Sequence, residues 1–274
     1  MITQEQNNLL TQTGRSTPCG ELMRRYWQPA ALAEDLTADE PLPVTLFGEE
    51  LILFRDDQSR PALIGRYCAH QGVDMVYGRV EPGGLRCMYH GWLFDACGKV
   101  VVRGDWLPGG EQRMSVGQPA YPCVEAGGVI FTYLGPGEAP TLVAHELFVK
   151  LPTRFALTKI LRDKNYLQGI LRANVSTLDG ARFVMPNLVF SPGASGAESW
   201  VRWCVPVDDS SYVEFTFRYF EESPIPGEPR DAAPAVLLKA IEEICAQRGV
   251  ESEAAAKIAS PVTSVRQASC QDGR

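Results

Sequence analysis

Short runs with apolar residues at strand spacing fill the first half of the chain. Val44-Thr-Leu-Phe47, Glu50-Leu-Ile-Leu-Phe-Arg55 and Ala62-Leu-Ile-Gly-Arg-Tyr67 follow one another, with Asp56-Asp-Gln-Ser59 as the turn between the last two. Neighbouring side chains on a strand point to opposite faces, so this spacing predicts β-structure. Glu81-Pro-Gly-Gly84 is a strong turn signal. Trp92 to Asp95, the turn Ala96-Cys-Gly98 and Lys99 to Arg103 predict a hairpin, and Tyr121–Val124 and Gly128–Leu134 predict two closing strands. Short strands between frequent turns fit a small antiparallel sandwich. A short helix is expected ahead of it, from Gly20 to Trp27, ended by Pro29. Tyr26 and Trp27 read as packing residues. Gly135-Pro-Gly-Glu-Ala-Pro140 reads as a linker, which places a domain boundary at 140.

The second half has a different texture. Phe148 to Gln168 mixes strand character with Asn165-Tyr-Leu-Gln168. Strands are expected at Arg182–Phe190, Trp200–Val205 and Tyr212–Tyr219. Ala232–Arg248 predicts an amphipathic helix, with Val236, Leu237, Ala240, Ile241 and Ile244 on one face. Ser260–Arg274 reads as a loose tail. The expectation is therefore a mainly β chain with some helix, in two domains, 1–140 and 141–274.

Charge narrows the function classes. A net charge of −7 and a pI near 5.1 argue against nucleic acid or an anionic membrane as the main partner. No run approaches the roughly eighteen apolar residues of a membrane span. The start Met1-Ile-Thr-Gln-Glu lacks the basic and apolar regions of a secretory signal. The expected compartment is the cytoplasm. Six of the eight cysteines (Cys19, Cys97, Cys123, Cys204, Cys245 and Cys270) are scattered without a disulfide framework and are expected to be reduced thiols.

The other two cysteines carry the chemistry. Tyr67-Cys-Ala-His-Gln-Gly72 and Cys87-Met-Tyr-His90-Gly-Trp92 form Cys-x-His and Cys-x-x-His-Gly knuckles with sixteen residues between His70 and Cys87. Two of the three histidines of the chain sit there. Each knuckle supplies one thiolate and one imidazole. That set, Cys68, His70, Cys87 and His90, suits a [2Fe–2S] cluster whose two irons differ, one held by two Cys and one by two His. The bland alternative is a structural zinc. Zinc motifs group their cysteines in one loop and their histidines in another, whereas here both knuckles are mixed.

These knuckles resemble the Rieske domain of ring-hydroxylating oxygenase terminal (alpha) subunits, in particular the phthalate-dioxygenase-like branch. Pro18-Cys-Gly-Glu-Leu-Met-Arg-Arg-Tyr-Trp-Gln-Pro29, Phe47-Gly-Glu-Glu-Leu51, Gly84-Leu-Arg-Cys-Met-Tyr-His-Gly-Trp92 and Ala120-Tyr-Pro-Cys-Val-Glu125 carry the resemblance over the first half of the chain, in order. Ala69 stands where the branch usually has Pro, which alters loop stiffness and no ligand. Neither knuckle has the additional cysteine of the respiratory-complex type. The resemblance implies a Rieske-type β-sandwich, electrons from an NAD(P)H-dependent reductase or a ferredoxin, and a head-to-tail trimer in which each cluster serves the iron of the next subunit.

The same resemblance implies a catalytic domain with a second, mononuclear Fe(II) on a 2-His-1-carboxylate triad. The helix that opens with Asn165-Tyr-Leu-Gln168 and runs to Asp179-Gly180 contains no His. Phe183-Val-Met-Pro-Asn187 and Val205-Pro-Val-Asp-Asp209 then resemble strands from much later in that domain, so the second half reads as a shortened helix-plus-sheet remnant. His145 is the one spare histidine, and Asp272 only loosely resembles the family carboxylate. The chain is therefore expected not to bind the mononuclear iron itself. The reading is an electron-transferring oxidoreductase component that serves an iron in a partner subunit, assembled with itself or a full-length terminal subunit. Two alternatives stand beside it: a complete mono- or dioxygenase acting on an aromatic or similar apolar substrate through an atypical iron site, and an inactive deletion relative that only holds a cluster.

Overall fold

A computed structural model describes residues 3–102, 117–142, 155–171, 181–191, 199–219, 228–229 and 232–256. His145, Asp179, Asp272 and the expected tail 260–274 lie outside the described residues. The chain divides into two compact units.

The first unit contains residues 27–46 and the described residues from Glu50 to Leu142. It is built from three antiparallel sheets. β2 (Leu42–Leu46), β3 (Glu49–Arg55), β4 (Pro61–Gly65) and β9 (Ala120–Tyr121) form one; β5 (Arg79–Glu81), β6 (Gly84–Arg86), β7 (Leu93–Phe94) and β8 (Val100–Val102) form a second; β1 (Gln28–Leu32), β11 (Val129–Thr132) and β10 (Cys123–Ala126) form the third. Ile52, Phe54, Ile64, Met75, Leu85, Trp92 and Phe94 interdigitate in one buried cluster that reaches Cys68 and Cys87. The expected strand Tyr121–Val124 divides in two. Pro122 between β9 and β10 has no N–H for a ladder, so β9 pairs with β4 and β10 with β11. Gly84 begins β6 at φ +142, and a Cβ there would meet the Phe94 carbonyl oxygen at 1.9 Å. Gly84→Ala is therefore expected to destabilise this unit by more than about 2 kcal/mol. The check is a lower denaturation midpoint followed through tryptophan fluorescence; an unchanged midpoint would refute it.

The second unit contains residues 3–26, 47–49 and the described residues from 155 onward. Its six-stranded antiparallel sheet runs in the order β12 (Phe155–Arg162), β16 (Tyr212–Tyr219), β15 (Ser199–Pro206), β14 (Leu188–Ser191), β13 (Arg182–Val184), β17 (Glu228–Pro229). The expected strand Arg182–Phe190 is a hairpin that turns at residues 185–187, where Pro186 has no N–H for a ladder. The helix Tyr166–Leu171 packs on β15, and Gly169 permits the approach: a Cβ there would meet the Tyr212 ring at 2.5 Å. Asn165 caps that helix by accepting from the Leu167 N–H at 3.0 Å. The C-terminal helix spans Ala233–Ala256, longer than expected, and buries Leu237, Ile241 and Ile244.

This division departs from the sequence boundary at 140. The helices Gln4–Thr11 and Pro18–Arg24 belong with the second half of the chain. The reason is tertiary. The buried Tyr166 hydroxyl donates to the Leu10 carbonyl at 2.8 Å and lies 3.3 Å from Cys19 Sγ, and Asp209 accepts from the Thr13 N–H at 2.7 Å. The second helix also begins earlier than expected and stops at Arg24, because Thr17 accepts from the Gly20 N–H and Pro18 fits the first turn. Phe47, expected in a strand, turns with Gly48 at positive φ, and their N–H groups donate to the Pro206 and Val207 carbonyls. One cysteine expectation is corrected. Cys19, Cys123, Cys204 and Cys245 are free thiols, but Cys97, at the half-buried β7–β8 turn, is disulfide-bonded. Cys270 lies outside the described residues.

Candidate metal centre

The two knuckles are the same loop made twice. In the first, the Cys68 N–H donates to Val73 O at 2.8 Å and the Gly72 N–H returns to Cys68 O at 2.7 Å. In the second, the Cys87 N–H donates to Trp92 O at 2.8 Å and the Gly91 N–H returns to Cys87 O at 3.1 Å. Gly72 and Gly91 hold φ of +71 and +69, where glycine carries no side-chain penalty. Each loop thus reverses within four residues and presents its Cys and His on the same side. The one-residue difference between the Cys-x-His and Cys-x-x-His spacings is absorbed inside the closed loop.

The four candidate side chains come together in pairs. His70 Nδ1 and His90 Nδ1 lie 3.1 Å apart, and the Cys68 and Cys87 thiols are in hydrogen-bond contact. Cys68 and Cys87 are each 3% exposed, while both imidazoles are half-buried. Among the described residues no group of three or more His, Cys, Asp or Glu is arranged to close on a single ion. Two thiols on one side and two imidazoles on the other fit two metal atoms with different ligands better than one tetrahedral zinc. Burial, followed by the neighbouring Cys87, raises the Cys68 thiol to about 11, although the His70 and Gln71 N–H groups donate to its sulfur. Without a metal this thiol stays protonated at neutral pH, so loading must release its proton.

The walls around the donors are unequal. The buried Trp92 ring stacks on His70 at 4.4 Å with a 7° interplanar angle. Tyr89, 61% exposed, covers His90 at 3.9 Å. Met88 and Tyr77 are exposed on the same unit.

Sequence reasoning passed over the residues that fix these loops. Arg66, two before Cys68, grips Asp74 through Nε at 3.1 Å and Nη2 at 2.7 Å, while Asp74 accepts from the Val76 N–H at 3.0 Å. Arg86, one before Cys87, donates to Gly91 O just past His90, and its Nε donates to Glu81 at 2.7 Å. Buried Gln118 donates to Tyr67 O at 2.8 Å from the far side. An Arg close before each Cys was the available signal.

The Arg66 guanidinium holds the Asp74 carboxyl below its ordinary value. A depressed carboxyl stabilises the fold above its unfolded pKa, and that contribution is lost as pH falls through the folded value. Asp74→Asn is therefore expected to flatten the acid limb of the stability curve below about pH 4, beside a modest loss near neutrality. Denaturant midpoints between pH 2.5 and 7 check this; parallel curves for the two proteins would refute it.

A family model described as the Rieske [2Fe–2S] domain matches residues 26–105. Residues 26–105 form a Rieske domain. The chain is 43% identical over 143 residues to the phenoxybenzoate dioxygenase subunit alpha of Ectopseudomonas oleovorans, covering 52% of this chain and 35% of that protein. It is 33% identical over 234 residues to the phthalate 4,5-dioxygenase oxygenase subunit of Pseudomonas putida, covering 80% and 52%. Dicamba monooxygenase has the same fold at a TM-score of 0.62 and 15% identity, covering 83% of this chain and 99% of that one. The terminal oxygenase of carbazole 1,9a-dioxygenase from Nocardioides aromaticivorans IC177 matches at 0.58 and 20% identity, covering 76% and 79%. The chain spans about a quarter to three fifths of the length of the curated relatives it matches. Over residues 26–105 it matches the Rieske [2Fe–2S] domain, and its mainly β fold is that of the solved terminal oxygenase. Among the described residues no helix is long and apolar enough to cross a membrane.

Proposed function

We propose that Cys68, His70, Cys87 and His90 hold one [2Fe–2S] cluster, and that this chain relays electrons from an NAD(P)H-dependent reductase or a ferredoxin to a mononuclear iron in a partner subunit. The observation that carries the reading is the facing of the two Nδ1 atoms at 3.1 Å beside the paired thiols. Two imidazole nitrogens 3.1 Å apart can share one proton, and a metal atom bound by both would take that proton's place; the soft thiols beside them suit iron–sulfur chemistry. When bound, the cluster supplies a one-electron couple. The residues of this chain do the rest. Trp92 fixes one face of His70 and keeps water from it, Arg66 and Arg86 hold the loops, and half-buried His70 and His90 form the route toward a partner. Solved oxygenase–ferredoxin complexes of carbazole 1,9a-dioxygenase share the fold, which supports an electron-transfer partner. Assembly as an oligomer, with itself or with a full-length terminal subunit, and a cytoplasmic location belong to the same proposal.

The test is anaerobic reconstitution. It should give a red-brown protein with two irons and two acid-labile sulfides per chain, and a dithionite-reduced signal of low average g. The midpoint is expected at the low end of the Rieske range, about −150 mV. Stoichiometric zinc without sulfide would end the reading.

A further inference from the structure

Trp92 serves both knuckles at once. Its carbonyl accepts from the Cys87 N–H at 2.8 Å, so its backbone closes the second loop. Its side chain reaches the first loop and lies along the His70 ring, with 4.4 Å between centroids and 7° between planes. The other face of the site is built differently. Tyr89 meets His90 at 3.9 Å but is tilted by 43° and open to solvent. Trp92 is buried in the cluster of side chains that also holds Phe94, Cys68 and Cys87.

Core packing accounts for a buried tryptophan, but it does not ask the ring to lie parallel to an imidazole. The parallel approach has an electrostatic consequence. An aromatic quadrupole puts negative potential on the ring faces and positive potential on the edge. His70 therefore has a negative face along one side of its ring. The same indole keeps water from that side and lowers the local dielectric. The effect on a bound cluster follows from charge. With two thiolates and two neutral imidazoles, an oxidised [2Fe–2S] unit has no net formal charge, and one added electron makes it negative. A negative ring face and a dry wall both disfavour that added charge. The two effects have the same sign.

We propose that Trp92 is a positioning residue of the centre, which fixes the plane of the His70 ring and holds the reduction potential down. The inference rests on Cys68, His70, Cys87 and His90 being the ligands. It makes the two imidazoles unequal: His70 is held against a negative, dry wall, and His90 stands beside a partly wet one.

The test is the midpoint potential of the whole chain after anaerobic reconstitution, with iron and sulfide counted on the same samples. Trp92→Phe keeps an aromatic face and is expected to stay near wild type. Trp92→Leu keeps apolar bulk without the face, so its midpoint should rise, by roughly threefold or more in the reduction equilibrium. A second series avoids any change of fold. Wild-type chain made with mono- or difluorotryptophan keeps the indole shape while each fluorine weakens the negative face. Its midpoint should rise with the number of fluorines. Trp92→Phe labelled in the same way still carries the analogue at the remaining tryptophans of the chain's five, and its midpoint should stay constant. A flat fluorine series on fully loaded wild-type protein would overturn the proposal and leave the ligand set standing. An equal rise in labelled Trp92→Phe would overturn it too, because the effect would come from another tryptophan. So would a fully loaded Trp92→Leu with the wild-type midpoint. Wild-type chain that takes up no iron and sulfide would overturn the ligand set, and this inference with it.

Discussion

Changing His90 to Ala is expected to reduce iron and sulfide to below about a tenth of wild type after anaerobic reconstitution and gel filtration. His90 Nδ1 faces His70 Nδ1 at 3.1 Å, and no third nitrogen donor among the described residues stands ready to take its place. Removal leaves a metal atom with one imidazole and a gap open to water. His90 is half-buried and lies against exposed Tyr89, so its loss opens no core cavity and the far-ultraviolet dichroism should be unchanged. His90→Cys makes the complementary case. A third thiolate keeps a ligand but adds negative charge, so any cluster that forms should have a lower midpoint than wild type. If His90→Ala kept a full complement of iron and sulfide, the assignment of ligands would be wrong.

Metal counting carries the second large effect. Fully loaded protein is expected to hold two irons and no third that survives gel filtration. A 2-His-1-carboxylate site needs two histidines, and after the knuckles this chain has only His145. Losing ligands from such a site should abolish affinity instead of weakening it. With a reductase and NADH the protein alone should reduce its cluster and hydroxylate no aromatic compound. A third tightly bound iron, lost in His145→Ala or Asp272→Ala, would mean that the chain carries its own oxygen chemistry.

The strand spacing of the first half and the two knuckle loops were legible in the sequence because both are local. Glu50–Arg55 and Tyr212–Tyr219 alternate or pack within a few residues, and each knuckle brings its Cys and His within four positions. The hairpin break at Met185-Pro186 and the division of 121–124 by Pro122 also had local causes, visible as prolines inside apolar runs. What could not be read was contact across long separation. Nothing near Leu10 or Thr13 announces Tyr166 or Asp209, more than 150 positions away. The loop-fixing arginines were visible as letters but not as contacts, since their partners Asp74 and Gly91 O depend on how each loop turns.

Apart from residues 47–49, which belong to the second unit, the first unit runs from Trp27 past the linker, and its opening and closing strands are neighbours. Gln28 on β1 lies opposite Thr132 on β11. A segment whose two ends meet in one antiparallel pair can be lifted out or moved as a cassette, because the ends need no added span to rejoin.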